Sequence, residues 1–145
     1  IGPGERVQLA RSRLSMAIPK GFEKRSDDAW VVEHEGQTAI LLRFVKHPLP
    51  DRDVDAWIDD LINSVKKAGR SGVLRDERVT VGDLDARHIG VEDLLGQDRG
   101  AIRMLVVPAE DGVYVASFLA SAATLRAHLV LLDAALMSLR VPALK

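Results

Sequence analysis

Apolar and polar positions alternate with a period of two over 14–18, where Leu14, Met16 and Ile18 are separated by Ser15 and Ala17. That is the pattern of a strand with one buried face, and it stops at Pro19-Lys-Gly-Phe22. Two more strands are predicted over 29–34 and 38–46, joined around Glu35-Gly36-Gln37. The second is almost continuously apolar from Ala39 to Leu42, which predicts a central strand buried on both faces. A change to helical periodicity follows. Val54, Trp57, Ile58, Leu61, Val65 and Ala68 fall on one face of a helix, and Asp55, Asp59, Asp60, Asn63, Lys66 and Lys67 on the other. Either Asp51 or Asp53 caps its first turn, and Gly69 closes it.

Strand patterns return over 73–81 and 84–94, meeting at Gly82-Asp83, with a further turn over 96–100. The last third reads as strands over 101–107 and 112–119, separated by Pro108-Ala-Glu-Asp-Gly112. A long closing helix then places Leu125, Leu129, Leu132, Leu136 and Leu139 at spacings of four, three, four and three, one continuous leucine stripe. Three strands, a helix, four strands and a helix make an α+β chain. Short turns between successive strands favour antiparallel pairing, so the predicted architecture is an antiparallel sheet of about six to seven strands sandwiched between helices. Residues 1–11, with Gly2-Pro-Gly-Glu-Arg6, read as a flexible lead-in, and 12–145 as a single domain.

Composition narrows the function more than it names it. A chain of 145 residues is long enough for one proper core and too short for two. Net charge is −1 and basic residues are interleaved with acids, so no nucleic-acid partner is predicted. Two Trp, one Tyr and three Phe offer little material for stacking platforms. No apolar run approaches ~20 residues, so no transmembrane segment is predicted. Cysteine is absent, which excludes disulfides, thiolate nucleophiles and Cys-ligated zinc. The chain begins at Ile1, so the expectation is an exported product with its signal peptide removed, periplasmic or associated with the cell envelope; the alternative is cytoplasmic.

Candidate chemistry has simpler explanations at each position. Asp51, Asp53 and Asp55 imitate the start of a calcium loop, but Ala56 and Ile62 stand where its glycine and bidentate acid belong. Histidines at 34, 47, 88 and 128 show no metal-ligand spacing. His128 shares a helix with Asp133, yet five residues turn them about 140° apart. No Gly-x-Ser-x-Gly elbow or phosphate loop occurs, Gly69-Arg-Ser-Gly72 reads as a helix exit, and Ser117 reads as a packing position. Turn chemistry accounts for Asp83, Asp85, Glu92 and Asp93. No catalytic, cofactor-binding or metal-binding residue is predicted. The closing helix is the exception to these bland explanations. Opposite its leucine stripe lie Ala127, Val130, Leu131 and Ala134, while Arg126, Asp133 and Arg140 fill only a narrow strip. Such a helix is covered on both sides, here by the N-terminal segment, or it offers Ala127, Val130, Leu131 and Ala134 to a partner.

The order of elements resembles the PsbP-like fold, shared by the photosystem oxygen-evolving subunit, a Ran-binding nuclear import factor and many small bacterial exported proteins. The residues that carry it are Met16-Ala-Ile-Pro-Lys-Gly-Phe22, the central strand running into the capped helix at 51–68, Gly112-Val-Tyr-Val-Ala-Ser-Phe118 and the closing Ser138-Leu-Arg140. The resemblance covers 12–140. It implies a sheet between helices and a non-enzymatic binding role, with no catalytic residue carried over. The stretch 38–50 is further similar to the strand-to-helix passage of type VI secretion effector chaperones, which use this fold to shield apolar helices. The expected function is therefore a protein-binding module, an adaptor or chaperone of the bacterial envelope, as a lipoprotein if a lipidated cysteine precedes Ile1, with one protein partner and weak self-association. A carrier of a small apolar ligand or lipid is the alternative, and needs a closed cavity of ~300 Å³ or more. A hydrolase would need Ser, His and acid side chains to converge.

Overall fold

The computed structural model describes residues 2–9, 14–69, 73–94 and 100–141. Among the described residues, nine strands and three helices run in the order β1 (Gly2–Gln8), β2 (Ser15–Lys20), β3 (Glu23–Ser26), β4 (Ala29–His34), β5 (Gln37–His47), α1 (Val54–Ala68), β6 (Val73–Val81), β7 (Leu84–Glu92), β8 (Gly100–Ala109), β9 (Gly112–Ser121), α2 (Ala122–Ala127) and α3 (Leu129–Met137). Seven strands form one antiparallel sheet in the order β3-β4-β5-β9-β8-β7-β6, and β1 pairs with β2 in a sheet of their own. The fold class is α+β, as the patterning predicts.

The hairpins follow turn chemistry. Glu35 and Gly36 both adopt positive φ, 53° and 77°, the backbone a two-residue turn needs to match strand twist. Asp53 is the residue that caps α1, accepting from the N–H of Ala56 at 3.0 Å. Two layers of side chains enclose the sheet. Against one face Ile58 and Ile62 of α1 pack on Ile89, Val91, Met104, Val106 and Val113. Against the other, Leu125, Leu132, Leu136 and Leu139 pack on Leu42, Leu105 and Phe118, joined by Leu9, Leu14, Met16 and Ile18 from the N-terminal hairpin.

Four features depart from the expectations. Residues 2–8, expected as a lead-in, are a strand antiparallel to β2. β3 was not foreseen, because Glu23, Lys24, Arg25 and Ser26 are all exposed and carry no hydrophobic alternation. β5 lies inside the sheet but is not buried on both faces: Ile40, Leu42 and Phe44 are buried while Arg43 and Val45 are exposed, because α1 packs on the β7–β8–β9 side of that face. The closing helix is not continuous. His128 leaves helical geometry (φ −117°, ψ 14°), and its N–H bonds to Leu125 at 3.2 Å, tightening the end of α2 before α3 begins.

Candidate functional site

β7 turns His88, Gly90 and Glu92 toward α2 and α3, three successive residues of one face with no apolar side chain among them. His88 and Glu92 are 2% and 4% exposed, and so is Arg103, at 4%, which stands opposite Gly90 on β8. Buried charges need partners, and the helices supply them. Asp133 of α3 accepts from Arg103 Nε at 3.1 Å and from Arg103 Nη2 at 2.7 Å. His88 Nε2 lies 3.3 Å from the same carboxylate without an aligned hydrogen bond. Burial alone would raise the Asp133 pKa, but contact with His88 and the bonds from Arg103 outweigh it and hold the group at about 2. One helical stretch earlier, Arg126 of α2 grips Glu92 with both arms of its guanidinium. Glu92 holds the Arg126 pKa above its ordinary value.

Arg126 of α2 and Asp133 of α3, on either side of the break at His128, both reach the face of the sheet that carries His88 and Glu92. Arg126 reaches Glu92 of β7 from the surface, while Asp133 turns inward to Arg103 of β8 and His88 of β7. The outward stripe is Ala123, Ala127, Val130 and Ala134, all exposed, with Val130 at 87% and Leu131 half-buried beside it. The N-terminal hairpin does pack on α3, but through Leu9, Leu14 and Met16 against the leucine stripe, and it leaves Ala127, Val130 and Ala134 uncovered. Asp133 is turned inward, Arg126 leans over Glu92 from the surface, and the apolar stripe is open.

The remaining candidates stay apart. Asp51 and Asp55 are exposed, Asp53 is a helix cap, and among the described residues no group of His and acids is arranged to hold a metal ion. His34 is exposed at the end of β4, and His47 packs its ring on Trp57 at 5.0 Å. Ser117 is half-buried opposite Met104 and Arg43, on the α1 side of the sheet, whereas His88 and Asp133 lie on the other side. The strand pairing therefore keeps that serine away from the buried histidine and acid. Residues 70–72 and 95–99 lie outside the described residues. Asp55, Asp59 and Asp85 border a cleft of about 30 Å³ with Arg78 and Arg87, room for little more than water. Between the sheet and α3, where a carried ligand would sit, Leu42, Leu105, Phe118, Leu132, Leu136 and Leu139 are all fully buried. On the α1 side, Lys66 and Arg87 both bind Asp76, Arg87 also reaches Asp59 at 2.8 Å, and the bonds from Lys66 and then Arg87 lower the Asp76 pKa.

No family model and no curated protein matches the chain by sequence. Solved structures do match in shape. The solution structure of cyanobacterial PsbP (CyanoP) from Synechocystis sp. PCC 6803 superposes with a TM-score of 0.68 at 12% identity, over 98% of this chain and 94% of that one. The chain has a PsbP-like fold. A Pseudomonas aeruginosa protein of unknown function, PA94, matches with a TM-score of 0.64 at 12% identity, over 99% of this chain and 100% of its own. A Bacteroides thetaiotaomicron structure matches with 0.61 at 10% identity, over 97% of this chain and 49% of its own. At such identities the PsbP-like likeness carries the fold and not the activity. Among the described residues, no helix is long and apolar enough to cross a membrane.

Proposed function

We propose that the protein is a non-enzymatic protein-binding module, an adaptor or chaperone of the bacterial envelope, which seats an apolar helix of one protein partner on the outward stripe of α2 and α3. The observation that carries this reading is Val130, 87% exposed in a stripe whose other members are alanines. A surface helix ordinarily turns its charges to water. Here Arg126 and Asp133 are spent on Glu92 and Arg103, and Ala123, Ala127, Val130 and Ala134 are left outside. Alanines keep the surface low, which suits a second helix packing at the short end of the usual interaxial range, about 8 Å. Weak self-association through the same stripe is the second mode of this reading. The envelope assignment rests on the resemblance to small exported bacterial proteins.

The test is a photo-crosslinking residue placed at Val130 in the native cell, with a second chain carrying it at exposed Asp55 as the control. The reading expects one defined protein adduct from position 130, lost when Ala127→Glu is added, and none from position 55. Identical adducts from both positions, or a position-130 adduct that survives Ala127→Glu, would overturn it.

A further inference from the structure

β2 is held from two sides, and only one of them depends on side chains. Toward the C-terminus, Ser15 exchanges backbone bonds with Arg140 at 3.1 and 2.9 Å, and the N–H of Ala17 donates to Ser138 Oγ at 2.8 Å. Met16, Ile18 and Pro19 of β2 are buried in the core. Among the described residues the opposite edge of β2 is paired with β1, with Glu5 opposite Ile18 and Val7 opposite Met16. The odd residues of β2 are bonded toward Arg140 and Ser138, so ladder alternation leaves the N–H and C=O groups of Met16 and Ile18 to β1. β1 gives back almost no side-chain burial: Pro3, Glu5, Arg6, Val7 and Gln8 are all exposed, and burial resumes only at Leu9. Its grip rests chiefly on backbone pairing, with a surface bond from Arg6 to Ser15 Oγ at 2.9 Å.

We infer that β1 is a strap, hinged at buried Leu9, over a strand-addition site on the edge of β2. Peeling β1 away leaves β2 anchored by its core side chains and by Arg140. The exposed edge is then a template for an extended segment of another chain. Selectivity comes from one close approach. A Cβ at Gly4 would overlap the carbonyl of Ile18, so the incoming strand must carry glycine at that point, as β1 does. Its other side chains face solvent and are unrestricted. β1 thus acts as a built-in competitor for a glycine-bearing extended peptide. This site is separate from the α2–α3 stripe and stands without the reading given for it.

Gly4→Val in the full chain tests the inference, because it evicts the strap and touches nothing else. The probe is the synthetic peptide Gly-Pro-Gly-Glu-Arg-Val-Gln, the sequence of β1. The variant should melt within a few degrees of the parent. Its Met16 and Ile18 amide resonances should then shift on titration with the peptide, saturating in the millimolar range expected of a short backbone-only ladder, on the order of 4 kcal/mol. The parent should not respond, nor should the variant respond to the same peptide with valine at its third position. Failure of the peptide to bind, or equal binding of the valine peptide, overturns the inference. Hydrogen exchange on the unmodified chain gives a second reading that needs no variant. Glu5 and Val7 amides should exchange at least a hundredfold faster than those of Leu42, and exchange as slow as the core would show that β1 is integral to the fold.

Discussion

Arg103 occupies the place that a side chain on Gly90 would take. The two residues are directly opposite on β8 and β7, and a Cβ built on Gly90 would overlap the Arg103 guanidinium. Glycine in a strand interior usually weakens it, but here the missing side chain is the channel through which Arg103 reaches Asp133. Gly90→Ala should therefore displace Arg103 and leave Asp133 with His88 alone. The expected loss is about 3 kcal/mol, the combined scale of overpacking and of breaking a buried ion pair. Chemical denaturation measures it, and a change below about 0.5 kcal/mol would show that Arg103 has another route.

Asp133 also makes a prediction about acid. Its folded pKa is about 2 against an ordinary 3.8, so the carboxylate form favours the folded state. A depressed carboxyl contributes stability that is fully present above its unfolded pKa and disappears as pH falls through the folded one. The window is thus pH 4 down to pH 2, and the size is about 2 kcal/mol or less, since the side chain retains some contact with water. Asp133→Asn should be less stable than the parent at pH 7, and the difference should shrink between pH 4 and pH 2. Parallel pH curves for the two chains would remove Asp133 as the cause.

Two neighbours in α3 should behave oppositely. Leu132 is fully buried against the sheet, and Leu132→Ala should cost about 2–5 kcal/mol. Val130, 87% exposed, accepts a carboxylate at no desolvation cost, so Val130→Asp should change stability by less than about 0.5 kcal/mol. Thermal melts of the two variants compare them directly. If Val130→Asp melts as low as Leu132→Ala, the stripe is covered in solution.

The contrast between those residues was legible in the chain, because Val130 and Leu132 lie two residues apart in one helical turn, which sends them to different faces whatever their neighbours are. So were β4, β6 and α1, whose ends are marked by turn residues and whose faces are cleanly divided. β1 and β3 were not, since strands whose side chains all face water have no apolar period to read. The ladder of His88, Gly90 and Glu92 was visible only as a polar interruption in a strand. Its partners Arg103, Arg126 and Asp133 are 11 to 45 residues away along the chain, brought in by sheet order and helix placement. Arg126, Asp133 and Arg140 were legible as a narrow charged strip, but the inward turn of Asp133 was not. The sign of that face depended on tertiary pairing, which periodicity cannot express.

The pairing of Arg126 with Glu92 yields the most discriminating cycle. Glu92 is 4% exposed and Arg126 reaches it from the surface, so the arginine chiefly neutralises a carboxylate that has left water. Removing only Arg126 orphans that carboxylate, whereas removing both leaves an apolar contact. Arg126→Met should consequently melt below the Arg126→Met/Glu92→Met double variant, although the double carries one more substitution. Glu92→Met alone should be the mildest of the three, because an exposed guanidinium returns to water. A double variant that melts lower than Arg126→Met would mean that Glu92 is held by something besides this arginine, and that α2 is not fastened to β7 through this pair.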